Sequence, residues 1–253
     1  MSADGHIPGI YNYCDRWCDR CEFTARCRLF QMDETDPADS EANDPHHPKF
    51  WISLKRVLQK TRELIQDLAR QQGMDLEAVD LEEAHQRMEE RFRRARQHPL
   101  VCDGFRYIDA VDNWFCRNEE MFAAKQAELD ERASLGLEGF NPEWEASRLC
   151  EACEVIRWHQ HQITAKLIRA LSSASDEDGA DSTRASSDAN GSAKVALLGI
   201  DDSLAAWTTL RECLADEADV ILDFLVQLNR LRHDAEIAFP RARDFVRPGF
   251  DGS

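Results

Sequence analysis

The stretch DDSLAAWTTLRECLADEADVILDFLVQLNRLRHDAEIAF, residues 201–239, decides the fold. Its apolar residues recur at three- and four-residue steps, as they do along one face of an α-helix. They are Leu204, Trp207, Leu210, Leu214, Ile221, Phe224, Leu228 and Leu231. Pro240 follows, and proline cannot continue a helix. The pattern predicts one long amphipathic helix that begins near Asp201 or Asp202 and ends before Pro240.

Three further stretches carry the same period, and each predicts a long helix. The first begins at Pro48 and carries Trp51, Leu54, Leu58, Thr61, Ile65 and Leu68. The second follows Pro99 and carries Phe105, Ile108, Val111, Phe115 and Phe122. The third begins at Pro142, with Asn141 as its N-cap, and carries Leu149, Cys153, Ile156, Ile163, Leu167 and Ala170. Since the sequence lacks strand-like alternation, we expect an all-α protein, an antiparallel bundle of these four long helices.

The segments around these helices predict the domain organisation. Residues 1–31 form a Cys-rich metal-binding segment, residues 32–48 an acidic linker, and residues 49–253 the helical bundle domain. Residues 172–193 are rich in Ser, Asp, Ala and Gly, which predicts a flexible loop within the bundle domain. Aromatic residues, prolines and arginines alternate over residues 239–250, and we expect this C-terminal extension to dock on the bundle.

Charge and composition narrow the class of partner. The 253 residues carry a formal net charge of −17, which disfavours binding to nucleic acid or anionic lipid over most of the surface. The arginines of residues 91–96 form a local basic run, which we interpret as the solvated last turn of a helix. The sequence shows neither a transmembrane span nor a secretory signal. We therefore expect a cytoplasmic protein whose partner is neither a membrane nor a nucleic acid.

Four of the nine cysteines lie within fourteen residues, at Cys14, Cys18, Cys21 and Cys27. The spacing C-x3-C-x2-C-x5-C lets four thiolates surround one ion or one cluster without help from distant parts of the chain. Soft thiolate ligands suit Zn²⁺ or an iron–sulfur cluster. Zinc sites usually pair two C-x2-C knuckles across a longer loop, and one such knuckle is present here, so the tight spacing favours an iron–sulfur cluster. The sequence predicts one metal centre at these four cysteines.

Aromatic and basic residues flank the four cysteines. The aromatic side chains could shield a cluster from water, and the arginines would offset the negative charge of the thiolates. They are Tyr11, Tyr13, Trp17, Phe23 and Phe30, with Arg16, Arg20, Arg26 and Arg28. The C-x3-C-x2-C spacing of the first three cysteines resembles that of radical-SAM enzymes. The resemblance ends there, because that family is built on a β/α barrel and this sequence predicts no strands. The alternative without a metal is a set of reduced cysteines that fill a core, for which the intervening charged residues are a poor pattern.

Polar residues on or beside the apolar stripes suggest a second site hypothesis. They are Glu154, Gln160, His161 and Glu217. Carboxylates and histidine in a bundle core are typical of di-metal carboxylate proteins, which use two Glu-x-x-His pairs. The chain has one such pair, Glu82 with His85. The alternative is a buried polar network that fixes the register of the helices.

The sequence contains no phosphate-binding loop, nucleophile elbow, dinucleotide fingerprint or zinc-protease motif, so it leaves open whether the protein is an enzyme. The first function hypothesis is a metal-binding helical protein with a protein partner, in an interaction or regulatory role. The second is a redox or electron-transfer iron–sulfur protein. The third is an enzyme with a carboxylate-bound metal in the bundle. The metal, the partner and the oligomeric state stay open.

Overall fold

The computed structural model of the protein describes residues 5–32, 41, 44, 46–71, 73, 80–136, 141–175 and 182–251, and the backbone alone for residues 64, 68, 71 and 182–186. All regular secondary structure in these residues is helical, which confirms the all-α class. The chain forms two compact units. The first comprises Met1–Asn12, Arg16–Glu89 and Pro248–Ser253, and the second comprises Tyr13–Asp15 and Glu90–Arg247.

The described part of the chain contains eight α-helices and four short 3-10 turns. The helices are α1 Arg28–Met32, α2 Pro48–Gln71, α3 Leu81–Arg96, α4 Pro99–Arg117, α5 Glu119–Leu135, α6 Pro142–Ala174, α7 Ser182–Cys213 and α8 Ala218–Ala238. The 3-10 turns are Ile10–Asn12, Cys18–Arg20, Thr24–Arg26 and Ala215–Glu217. Among the described residues, no helix is both long enough and apolar enough to cross a membrane.

The helix starts follow the capping pattern in the sequence. The side chain of Asn141 accepts a hydrogen bond of 3.0 Å from the backbone N–H of Trp144, so the predicted N-cap of α6 is confirmed. The imidazole of His98 caps α4 in the same way, because its Nδ1 lies 3.2 Å from the backbone N of Leu100. Both helices have a proline in their first turn. Proline lacks a backbone N–H, but the N–H groups of the first turn have no partner within the helix.

Helices α4 to α8 share one hydrophobic core in the second unit. The two longest, α6 and α7, pack against each other. Three polar contacts show that they run antiparallel, because residue numbers fall on one helix as they rise on the other: Arg148 with Glu212, His159 with Asp202, and Arg169 with Asp188. The expected four-helix bundle is not confirmed, since five α-helices surround this core.

Two predicted continuous stripes are each divided by a turn. The stripe that ends at Phe122 is divided at Asn118, whose backbone N–H bonds back to Trp114 and ends α4. The helix predicted over residues 201–239 is divided after Cys213, where Leu214 leaves the helical conformation and the turn Ala215–Glu217 follows. Both turns lie beside the buried side chain of Trp114, so contacts within the core outweigh the local period.

The prediction of a flexible loop over residues 172–193 was wrong for most of that range. Helix α6 continues to Ala174, and α7 begins at Ser182 rather than near Asp201. Residues 176–181 lie outside the described residues. Small side chains explain the difference, because Ala189, Ser192 and Ala193 are buried where α7 packs closely against α6. A composition typical of linkers is equally suited to close helix packing.

Helix α2 begins at Pro48 as predicted, but its apolar stripe does not form a core. The side chains of Trp51 and Leu58 are exposed, with 58% and 60% of their surface accessible to solvent. The acidic linker expected over residues 32–48 lies mostly outside the described residues, so its conformation stays a prediction.

Of the predicted C-terminal extension, residues 239–247 belong to the second unit and pack on it. Phe239 and Ala242 are buried in the core, and the ring of Phe245 lies 4.7 Å from that of Tyr13. The ammonium of Lys194 on α7 donates to the backbone carbonyl of Phe245 at 2.6 Å. These contacts hold both terminal segments of the unit, residues 13–15 and 239–247, against α7.

Candidate metal centre

Cys18, Cys21 and Cys27 lie on two successive 3-10 turns of the first unit. Cys18 opens the turn Cys18–Arg20, and Cys21 follows it in an extended conformation with its N–H bonded to the carbonyl of Cys18 at 3.1 Å. The turn Thr24–Arg26 ends in the same way, with the N–H of Cys27 bonded to the carbonyl of Thr24 at 3.2 Å. The two turns therefore place a cysteine at the same structural position.

The chemistry of the four thiols fits a soft metal. All four are half-buried, and all nine cysteines of the chain are free of disulfide bonds. The backbone N–H of Phe23 donates to the sulfur of Cys21 at 3.4 Å. Cysteine binds a metal in its thiolate form. The donor set therefore suits Zn²⁺ or an iron–sulfur cluster.

Contacts within the first unit enclose the turns. The backbone N–H of Ile7 donates to the carbonyl of Arg26 at 3.1 Å, which closes the segment into a loop. The ring of Phe23 packs edge-on against that of Phe250, with centroids 5.1 Å apart. Ile10 is 2% exposed. That the aromatic side chains shield a cluster from water stays a prediction.

Cys14 belongs to the second unit and lies between two anchored residues. The hydroxyl of Tyr13 donates to the carboxylate of Asp188 on α7 at 3.1 Å. The indole N–H of Trp158 on α6 donates to the backbone carbonyl of Asp15 at 3.0 Å. Because its two neighbours are hydrogen-bonded to the longest helices of the core, the position of Cys14 is determined by the tertiary structure.

A residue with strained backbone, Arg16, lies between Cys14 and Cys18 in the sequence. Arg16 has a φ of 64°, and it is the only residue other than glycine with positive φ in the part of the chain that the structure describes. This left-handed conformation costs an L-residue roughly 1–2 kcal/mol. Strain of this kind clusters at functional sites, where surrounding contacts maintain it. The guanidinium of Arg20 stacks over the ring of Trp17 at 3.8 Å and stiffens the same segment.

The described residues contain no group of three or more His, Cys, Asp or Glu side chains arranged as a ligand set. The structure thus places three of the cysteines on neighbouring turns, but it does not direct the sulfurs at one point. The metal centre at Cys14, Cys18, Cys21 and Cys27 stays a prediction.

Two residues of the second site hypothesis, Gln160 and Glu217, form hydrogen bonds to side chains of α4. The amide of Gln160 is buried, and it donates to Asp112 on α4 at 3.0 Å. Glu217 accepts a hydrogen bond of 2.9 Å from the indole of Trp114. Glu154 and His161 are exposed. These bonds connect α4 with α6 and with the turn before α8, which favours the polar network that fixes helix register.

Sequence reasoning missed a buried histidine. His159 is 3% exposed, with Nε2 3.5 Å from the carboxylate of Asp202 and Nδ1 2.9 Å from the amide oxygen of Gln162. Burial raises the pKa of Asp202. Gly199 was the available signal, because a Cβ there would lie 3.0 Å from the imidazole. A glycine inside a helix can mark such a close approach.

Asp188 is a second residue that sequence reasoning missed, because it lies in the predicted loop. Its carboxylate accepts hydrogen bonds from Arg169 at 2.6 Å, from Ser173 at 2.7 Å and from Tyr13. Burial acts to raise the pKa of Asp188, but the three donors together outweigh it and the pKa is lowered. The charged form is therefore stabilised in the folded state.

Replacing Asp188 with asparagine should weaken the protein most at neutral pH. The folded-state pKa lies below the unfolded value of 3.8, so the stabilisation is complete above that value and is lost as the pH falls through the folded pKa. At pH 7, we expect the free energy of unfolding of D188N to be about 1–3 kcal/mol lower than that of the parent. Between pH 5 and pH 2, the stability of D188N should fall by less than that of the parent. Urea unfolding across that range measures both. The exposed Asp219→Asn is the control, and parallel curves for parent and D188N would contradict the assignment.

Comparison with known protein families, with curated proteins and with solved structures returns no match to this chain. The function of the site is therefore inferred from its own residues.

Proposed function

We propose that the protein binds one metal centre through Cys14, Cys18, Cys21 and Cys27, and that this centre orders the N-terminal segment for an interaction or regulatory role with a protein partner. One observation carries the proposal: four half-buried thiols lie within fourteen residues, and two of them end successive 3-10 turns in the same conformation. The inclusion of Cys14 rests on its spacing in the sequence.

The surroundings of the thiols support a metal more than they support a packed core. Charged residues separate the cysteines, and these cost free energy in an apolar interior. The arginines near the cysteines would offset the negative charge of metal-bound thiolates. In the reducing cytoplasm, where we place the protein, thiols stay available as ligands.

Two metals suit the donor set, and they imply different functions. An iron–sulfur cluster supplies a one-electron redox couple when bound, which would make electron transfer or redox sensing the function. Zinc supplies a cross-link without redox chemistry, which would make the segment a structural part of a binding protein. The four N-terminal cysteines contain one C-x2-C pair, at Cys18 and Cys21, which favours the cluster. In both cases the cysteines bind the metal, and the aromatic side chains exclude water from it.

Elemental analysis and a visible spectrum of protein purified without oxygen test this proposal. We expect about one zinc, or about four iron with equal sulfide, per chain. Each single Cys→Ser change at the four positions should remove at least about half of the metal. The exposed Cys116→Ser, on α4, is the matched control and should retain all of it. Circular dichroism confirms that each variant keeps its helices.

The outcomes separate the hypotheses. Brown protein that bleaches reversibly on reduction supports the redox function. Colourless protein with zinc supports the structural role. Metal-free protein, or full metal content in all four variants, overturns the metal centre.

A further inference from the structure

Helix α2, Pro48–Gln71, carries an apolar stripe with heptad spacing. Positions at alternating steps of four and three residues are Phe50, Leu54, Val57, Thr61, Leu64 and Leu68. A second row, seven residues apart, widens the stripe with Trp51, Leu58 and Ile65. Steps of four and three define the a and d positions through which one helix packs along another. The stripe therefore has the period of a helix–helix contact.

Among the side chains that the structure describes, this stripe is exposed from Trp51 to Ile65. Trp51, Leu58 and Ile65 are 58%, 60% and 50% exposed, and Leu54 and Val57 are exposed as well. Scattered apolar residues are normal on a surface, but a contiguous apolar row marks an interaction site. The exposed row has enough aromatic and branched side chains to drive association once another surface covers it.

The charge of α2 is opposite to that of the rest of the chain. The helix has six basic and two acidic residues, a formal charge of +4 on a chain of −17. Basic side chains flank the stripe, with Lys55 and Arg62 along one edge, and Lys60 along the other edge, which also carries Asp67. A surface that covers the stripe brings its own edges next to these cations. Acidic edges complement them.

We propose that α2 docks lengthwise on an acidic amphipathic helix of a protein partner. The inference deepens the protein-binding part of the proposed function, and it does not require the metal. The heptad period favours a helix over a lipid surface, which needs no such period. The acidic remainder of the chain also opposes approach to an anionic membrane. Pairing between the α2 helices of two copies would place two basic helices side by side, which is repulsive.

A synthetic peptide tests the complementarity. The probe is a labelled 21-residue helix with leucine at a and d and glutamate at e and g, whose glutamates discourage pairing with itself. The comparison peptide has lysine at e and g. With the full-length protein, we expect the glutamate peptide to bind with micromolar affinity and the lysine peptide to bind at least about 10-fold more weakly.

Paired variants of α2 locate the binding. Leu58→Glu places a charge in the stripe and should weaken binding about 30-fold or more. Gln59→Glu introduces the same side chain one residue away on the polar face, and should change binding less than about 3-fold. Circular dichroism and unfolding of both variants show whether the remaining helices are intact.

Several results would overturn the inference. They are no binding of the glutamate peptide at about 100 μM, equal binding of both peptides, or equal effects of the two variants. Binding to phosphatidylglycerol vesicles in place of the peptide would identify a membrane surface. Concentration-dependent dimers that Leu58→Glu abolishes would identify a second copy. Repeating the titration with Cys18→Ser separates this inference from the metal centre, since peptide binding should survive loss of the metal.

Discussion

Replacing Trp207 with alanine is expected to lower the free energy of unfolding by about 3–5 kcal/mol. The side chain is fully buried, and its ring stacks on Phe224 with centroids 4.2 Å apart and planes 7° apart. It also meets Trp114 edge-on at 5.0 Å. Alanine would leave a cavity where α4, α7 and α8 converge, and closely packed neighbours relax into such a space only in part.

The indole of Trp207 has a polar contact whose loss adds to the cavity. Its Nε1 donates to the hydroxyl of Tyr107 at 2.9 Å, in a place where burial raises the pKa of that phenol above its usual range. Trp207→Phe keeps most of the ring contact and loses this bond, so we expect it to cost about 1–2 kcal/mol.

Urea unfolding followed by circular dichroism measures these changes. Trp144→Ala is the matched control, because Trp144 is 59% exposed near the start of α6 and packs against Arg148. We expect the control to cost less than about 1 kcal/mol. Equal losses for Trp207→Ala and Trp144→Ala would mean that the aromatic cluster does not form the centre of the core.

Replacing Gly191 with leucine is expected to release both terminal segments of the second unit, residues 13–15 and 239–247, from α7. A Cβ at position 191 would lie 2.6 Å from Cδ1 of Tyr13 and 2.8 Å from Cζ of Phe245, so these rings must move. The rings have little room to move while Tyr13 is bonded to Asp188 and the backbone of Phe245 to Lys194. Overpacking of this kind typically costs about 1–3 kcal/mol. Detachment of the two terminal segments from α7 would avoid that cost.

Hydrogen exchange and limited trypsin cleavage follow the release. We expect cleavage after the arginines of residues 241–247 to be about 10-fold faster, with faster amide exchange in the same residues, while the helices keep their protection. Ser187→Leu places the same side chain on an exposed part of α7 and should leave both rates unchanged. Unchanged cleavage in Gly191→Leu would show that attachment of the terminal segments to α7 does not depend on contact with Gly191.

Some features of the candidate site can be predicted from the sequence, and others depend on tertiary contacts. The spacing of the four cysteines identifies the donor set, because ligands this close in the chain need no tertiary contact to meet. The anchors on either side of Cys14 could not be inferred, since Tyr13 bonds to Asp188 and Trp158 to Asp15 across more than a hundred residues. The same holds for the contact of His159 with Asp202, which depends on the register of α6 against α7.

The helical class, the helix starts at Pro48 and Pro142, and the N-cap at Asn141 follow from the amino-acid sequence. These features depend on contacts three or four residues apart, which the chain makes in any helical setting. The points where the long stripes divide, and the helical conformation of residues 182–193, depend on contacts between helices. A run of serine, alanine and glycine is a loop in water and a close-packed helix against α6, and the neighbouring surface alone selects between them.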